Sequence, residues 1–187
     1  GESKKKPSNR KFDILNCQLM IHLLFRDDQS LNNFCENVNT FIDDDGYLLV
    51  STLDGDLIHD KFLKTNGKIT EYYTDSEGEK NKFFEFIRDY DSKLTDIKKT
   101  GLGYKSFVVL YKDEGNYDNE YLVSKDYLVD KLKQTCNLDL IETDLFYNVY
   151  EQQKYFFENL AENEAKFDTK SYFMKIKKYY DMSDDVN

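Results

Sequence analysis

Cysteine is scarce in this chain: Cys17, Cys35 and Cys136 are the only three in 187 residues. An odd number at scattered spacing, with no C-x-x-C pair, suggests neither a zinc site nor a disulfide framework, so no metal is expected. A reducing, intracellular compartment is the simple reading. Long apolar runs are missing too. None approaches the roughly 20 residues of a membrane span, which leaves no membrane partner to expect. The only proline lies in the basic, polar stretch Gly1–Arg10, beside Lys4-Lys5-Lys6. That stretch lacks the apolar centre of a secretory signal and reads as a flexible segment. Positive charge is outnumbered, 26 Lys and Arg against 36 Asp and Glu, for a net charge of −10. A surface that grips a polyanion needs clustered Lys and Arg, so any such contact must come from local patches or from protein outside this stretch. Finally, no glycine-rich turn precedes the first apolar run. The cofactor signature of a doubly wound fold, a glycine turn with an acid about 20 residues on, is therefore not within these residues.

What is present is enough for one domain with a real core: 40% hydrophobic residues, including 15 tyrosines and 14 phenylalanines. The chain is organised around Phe12–Phe25, FDILNCQLMIHLLF. Its first half, to Gln18, reads as a strand buried on both faces of a parallel sheet. Leu31, Phe34, Val38 and Phe41 then recur at helical spacing, with Asp27 or Asp28 as N-cap. Asp43-Asp44-Asp45-Gly46 reads as a turn and Tyr47–Leu53 as a second buried strand, which completes a βαβ unit with parallel neighbours. A helix is expected to start in Asp54–Phe62, with His59 on the surface. Residues 68–111 change character: Ile69–Tyr73, Lys82–Ile87 and Ser106–Tyr111 are short β-rich runs between turns, an antiparallel insertion beside the parallel sheet. Ser124–Cys136 is helical with Ser124 as N-cap, Leu138–Ile141 a strand, Leu145–Leu160 an amphipathic aromatic helix, and Tyr172–Tyr180 a last helix. The fold class expected is α/β.

In an open α/β sheet, ligands sit outside the carboxyl ends of the strands, and Gln18 and His22 are the polar groups that the first stretch delivers there. The pattern Phe-Asp-x-x-x-Cys-Gln-x-x-x-His at Phe12–His22 resembles the segment that follows the cofactor-binding half of messenger-RNA cap guanine-N7 methyltransferases, poxvirus-type and other large-DNA-virus capping enzymes among them. Three further blocks agree in order and spacing. Gly46–Asp56 resembles a strand and loop of the form G-G-x-hydrophobic-T-T-x-D-G-D. Asn119–Val123 resembles the x-E-Y-L-V block, and Leu138–Leu160 the strand and helix after it. The resemblance covers most of residues 11–160. It implies a Rossmann-like class I methyltransferase sheet with an antiparallel insertion, of which residues 11–187 form the carboxyl half. S-adenosylmethionine is the implied cofactor. The implied partners are the capped 5′ end of mRNA, an amino-terminal half of the domain and a stimulatory subunit. The location would be the cytoplasm or virion for a viral protein and the nucleus for a cellular one.

The resemblance also assigns residues. Glu120 stands at the glutamate that reads guanine by accepting from N1–H and the exocyclic amine, a pattern adenine cannot offer. His22 stands at the histidine that hydrogen-bonds the base, and Gln18 at the glutamine that contacts the cofactor. Leu19 forms an apolar wall of the cofactor site, and Leu53, where the family carries proline or methionine, a wall near the cap base. Two aromatics of the family are replaced, by Leu19 and Leu23, which weakens stacking at both places. No catalytic acid or base is expected: guanine N7 has a free in-plane lone pair, so alignment with the methyl carbon and sulfur is what the site must supply. Taken alone, Glu120 is equally a solvated loop acid beside Asp118, His22 a satisfied core histidine, and Gln18 a cap for the strand's last backbone groups. Lys98, Lys99, Lys105 and Lys175–Lys178 are candidate phosphate contacts and ordinary surface lysines alike. Two other functions fit the same sequence. One is a non-catalytic methyltransferase-fold subunit that stabilises or activates a capping partner. The other is a small-molecule methyltransferase, which would have no use for Glu120.

Overall fold

The computed structural model describes residues 10–110, 115–152 and 154. They fall into two compact units, within Gly1–Asp139 and Leu140–Asn187. The first unit is α/β. Strand β1 (Phe12–Gln18) leads through the single-turn helix α1 (Ile21–Leu24) into α2 (Asp28–Phe41), and the chain returns as β2 (Ile42–Ser51) beside and parallel to β1. This crossover is the unit from which Rossmann-like sheets are built. Asp27 caps α2 by accepting the Ser30 N–H at 2.7 Å. Leu31, Cys35 and Val38 form the buried stripe of α2.

Helix α3 (Gly55–Lys64) follows, and then a four-stranded antiparallel sheet in the order β3 (Lys68–Thr74), β4 (Lys80–Asp89), β5 (Gly103–Val108) and β6 (Asp118–Tyr121). One face of this sheet, with Ile69, Phe86 and Tyr104, closes on Phe62 of α3 and on Ile97, Leu102 and Leu122. A second cluster joins Ile21 and Phe25 around α1 to Leu31 of α2, to Val123, and to Leu128 of α4 (Lys125–Cys136). Helix α4 ends on Asn137 in the left-handed conformation, φ 53°, with the Asn137 N–H donating to the Lys133 carbonyl and the Leu138 N–H to that of Leu132, which satisfies carbonyls of the last turn. In the second unit, residues 146–152 are helical, and Asp144 accepts from the Leu145 N–H at 2.8 Å and from Asn148 at 2.6 Å. The rest of the helix expected to Leu160, the helix expected at Tyr172–Tyr180, and residues 1–9 lie outside the described residues.

Several expectations are corrected. β1 is not buried on both faces: α2 covers one, while Ile14, Tyr47 and Leu49 are exposed on the other. The acidic run Asp43–Gly46 is not a turn but the start of β2, accommodated by a register shift between Phe12 and Ile14. Leu138–Ile141 forms no strand; it follows the α4 cap and finds no ladder to join among the described residues. β6 was not foreseen, because Asp118-Asn119-Glu120 is poor in strand-forming residues; pairing with β5 creates it. His59 is not a surface residue. It is 4% exposed, stacked on Tyr90, with Nδ1 2.6 Å from the Tyr90 hydroxyl.

Candidate functional site

Three segments remote in sequence meet at the carboxyl ends of β1 and β2. The first is the β1–α1 turn. Leu19 reverses the chain in the left-handed conformation, φ 51°, which costs a non-glycine residue roughly 1 kcal/mol. Its N–H lies 2.8 Å from the backbone oxygen and 3.2 Å from the hydroxyl oxygen of Ser51, the last residue of β2. This fastens the turn to the neighbouring strand and leaves the Leu19 and Met20 side chains exposed. Gln18 is exposed beside them, its amide donating to Asn16 Oδ1 at 2.7 Å. Ile21 of α1 and Phe25 just after it are buried and hold the helix down, while His22 is half-buried.

The second segment is the β2–α3 loop. Leu53 is exposed, and the Asp54 carboxylate caps α3 by accepting the Leu57 N–H at 3.0 Å. Gly55 donates its N–H to the Val123 carbonyl at 3.0 Å, and a Cβ on Gly55 would lie 2.5 Å from that oxygen. Only glycine allows the loop to approach so closely. The Asp56 carboxylate accepts the Lys125 N–H at 3.1 Å, so α4 is capped from α3. Ser124, at the N-cap position as expected, makes no side-chain cap.

The third segment is β6 and its continuation. Glu120 is half-buried and faces Tyr104 across the β5–β6 ladder, and the Tyr104 hydroxyl donates to Glu120 Oε2 at 2.8 Å. Tyr104 is 1% exposed. Burial first, and the adjoining carboxylate second, push its phenol far above the usual range, so it acts as a donor at any working pH. Tyr121 packs inward on the α1 cluster. Helix α1 packs against β6, so His22 and Glu120 are carried by touching elements.

The elements that carry Gln18, Leu19 and His22, then Leu53, then Glu120 are joined near one end of the parallel pair, through the Leu19–Ser51 and Gly55–Val123 hydrogen bonds and the packing of α1 on β6. Of the candidate lysines, Lys98 is paired with Asp126 at 3.1 Å, which raises its pKa. Lys99 and Lys105 are exposed, and Lys175–Lys178 lie outside the described residues. An apolar groove lined by Leu15, Cys17, Phe34 and Val38 runs beside α2, and none of the five residues lines it. Sequence reasoning missed Tyr104 and the closeness of Gly55 to Val123. Both depend on the β5–β6 pairing and leave no local signal. Two buried hydroxyls, Thr52 Oγ1 and Ser124 Oγ, have no hydrogen-bond partner, and in sequence they bracket Leu53–Gly55 and Val123. No group of three His, Cys, Asp or Glu side chains among the described residues could hold a metal ion. Nor is any described helix long and apolar enough to cross a membrane.

The chain is 43% identical over 152 residues to the probable mRNA-capping enzyme of Acanthamoeba polyphaga mimivirus, a match that takes in 79% of this chain. The chain is homologous to part of a viral mRNA-capping enzyme. The chain spans 12% of the length of that relative. Among solved structures it is similar to an S-adenosylmethionine-dependent methyltransferase from Clostridium acetobutylicum ATCC 824, at 17% identity and a TM-score of 0.39, over 70% of this chain and 49% of that one. No protein-family model matches.

Proposed function

We propose that this chain supplies the cap-binding half of an mRNA cap guanine-N7 methyltransferase. The observation that carries the reading is Glu120: a half-buried carboxylate with one oxygen already held by Tyr104, on a strand touching the helix of His22. A solvated loop acid needs no such anchoring.

In this reading Glu120 accepts from N1–H and the exocyclic amine of guanine, and the His22 imidazole faces O6. Leu53 walls the base from the β2–α3 loop. The N7 lone pair is free at neutral pH, so no residue has to remove a proton. The chain's work is to hold the ring so that N7 lies in line with the methyl group, and positioning of this kind supplies several kcal/mol. The negative charge of Glu120 also favours the cationic N7-methylguanine product. S-adenosylmethionine, when bound, supplies the electrophilic methyl group. The residues present fit one flank of it: the exposed Gln18 amide and the exposed Leu19 side chain lie together at the carboxyl end of β1, where open α/β sheets place their ligands.

Glu120→Ala in the complete enzyme is expected to abolish methyl transfer to capped RNA while largely sparing cofactor binding; unchanged turnover would remove the guanine-reading role. A second reading, a methyltransferase-fold subunit that activates a capping partner, is favoured by Leu19 and Leu23, exposed aliphatics where the resembling enzymes carry aromatics. In that case Glu120→Ala leaves methyl transfer intact.

A further inference from the structure

The proposed site needs a carboxylate held at one angle, and Glu120 has a long side chain with three rotatable bonds. We infer that Tyr104 is the residue that sets this angle, and therefore governs whether the site tells guanine from its analogues. The inference rests on the guanine-reading role of Glu120.

Tyr104 is locked in place. Its ring packs edge-on against Phe86 at 5.3 Å and against Phe62 at 6.2 Å between centroids, inside the core beneath the antiparallel sheet. Its backbone is fixed on β5 between β4 and β6. The hydroxyl is the one polar atom of a buried ring, and it is spent on Glu120 Oε2. A carboxylate oxygen has two lone-pair directions, so Oε2 can accept from Tyr104 and still face a ligand. The bond fixes the plane of the carboxylate before any base arrives, and pre-organisation of this kind cuts the ordering cost of binding. Two hydrogen bonds to one planar ligand edge are then made together or not at all. Discrimination depends on the second of them, the bond from the exocyclic amine.

The test uses the complete enzyme and two cap dinucleotides, one with guanosine and one with inosine, which keeps N1–H and O6 but lacks the exocyclic amine. Dissociation constants are measured for the unaltered protein, Glu120→Ala, Tyr104→Phe and Phe86→Leu, with a thermal melt of each. The unaltered protein should prefer guanosine by on the order of tenfold or more, the worth of a hydrogen bond to a charged group. Glu120→Ala should abolish the preference. Tyr104→Phe keeps the ring and its packing, and should reduce the preference several-fold. Phe86→Leu disturbs the same packing without touching the hydroxyl; it should lower the melting temperature and keep the preference. If Tyr104→Phe retains the full preference, or Phe86→Leu loses as much of it, the positioning role is overturned while the reading of Glu120 stands. If Glu120→Ala discriminates as well as the unaltered protein, the reading itself fails and takes the role of Tyr104 with it.

Discussion

At Gly55 and Leu19 single backbone positions hold the site together, and they do so in opposite ways. Gly55 is needed for space. A methyl group there would sit 2.5–2.7 Å from the Val123 backbone, which cannot rotate away. Gly55→Ala is therefore expected to destabilise the fold by about 3 kcal/mol, at the upper end of what overpacking costs, with a lower midpoint in urea denaturation. In the proposed reading it should also weaken cap binding, because the loop that carries Leu53 would move with it. A midpoint unchanged within error would mean that the approach to Val123 is looser than the structure shows. Leu19 is a matter of conformation: glycine would relieve the left-handed strain, whereas a β-branched residue would worsen it. Leu19→Gly should change stability by less than about 1 kcal/mol, as relief of strain and loss of chain stiffness offset each other. Leu19→Ile, with the same volume, should be the less stable of the two in the same assay.

Among the elements, the antiparallel sheet is tied together by one acid. Glu85 on β4 is 2% exposed and accepts from Thr70 at 2.9 Å and Lys68 at 2.8 Å on β3, from Lys82 at 3.3 Å, and from the Tyr117 hydroxyl just before β6. Burial alone would raise its pKa, but the hydrogen bonds from Lys68, Tyr117, Thr70 and Lys82 together outweigh that and bring it down to about 2. A folded pKa below the unfolded value means stability that is fully present above about pH 4.5 and lost as the pH falls toward about 2. The contribution is on the order of 3 kcal/mol. Denaturation midpoints between pH 5 and pH 2.5 should fall steeply for the unaltered chain and less steeply for Glu85→Gln. Equal slopes would show that Glu85 is not the titrating tie. This network also marks the limit of sequence reading. The α2 helix was legible from Asp27 and the spacing of Leu31, Phe34 and Val38, and the parallel pair from two apolar runs around it. Glu85, β6 and the Tyr104–Glu120 bond were not, because each is created by a cross-strand neighbour. His59 misled for a related reason, since its partner Tyr90 is remote in sequence, just after β4.

For the molecule as a whole, the informative surface is the outer face of the parallel pair. Ile14 pairs with Tyr47 and Asn16 with Leu49, so Ile14, Tyr47 and Leu49 share one face, and they are 58%, 54% and 47% exposed. Toward the carboxyl ends the same face turns polar, through Asn16 to the pair of Gln18 and Ser51. A contiguous apolar patch beside an unpaired strand edge is a surface that proteins normally cover. Among the described residues, β1 pairs with β2 alone. The relative is far longer, this chain spanning 12% of it. Whatever covers Ile14 and Leu49 then lies beside Gln18, on the flank where the proposed cofactor would sit. The isolated 187-residue chain should accordingly self-associate in sedimentation velocity at tens of micromolar, and Ile14→Lys with Leu49→Lys should shift it toward monomer. In the complete enzyme the same pair of changes should lower the melting temperature and weaken cofactor binding, because two charges would be pressed into a covered face. A monomeric unaltered chain, together with a complete enzyme indifferent to both lysines, would show that this face is open in the working protein and that the cofactor flank is built some other way.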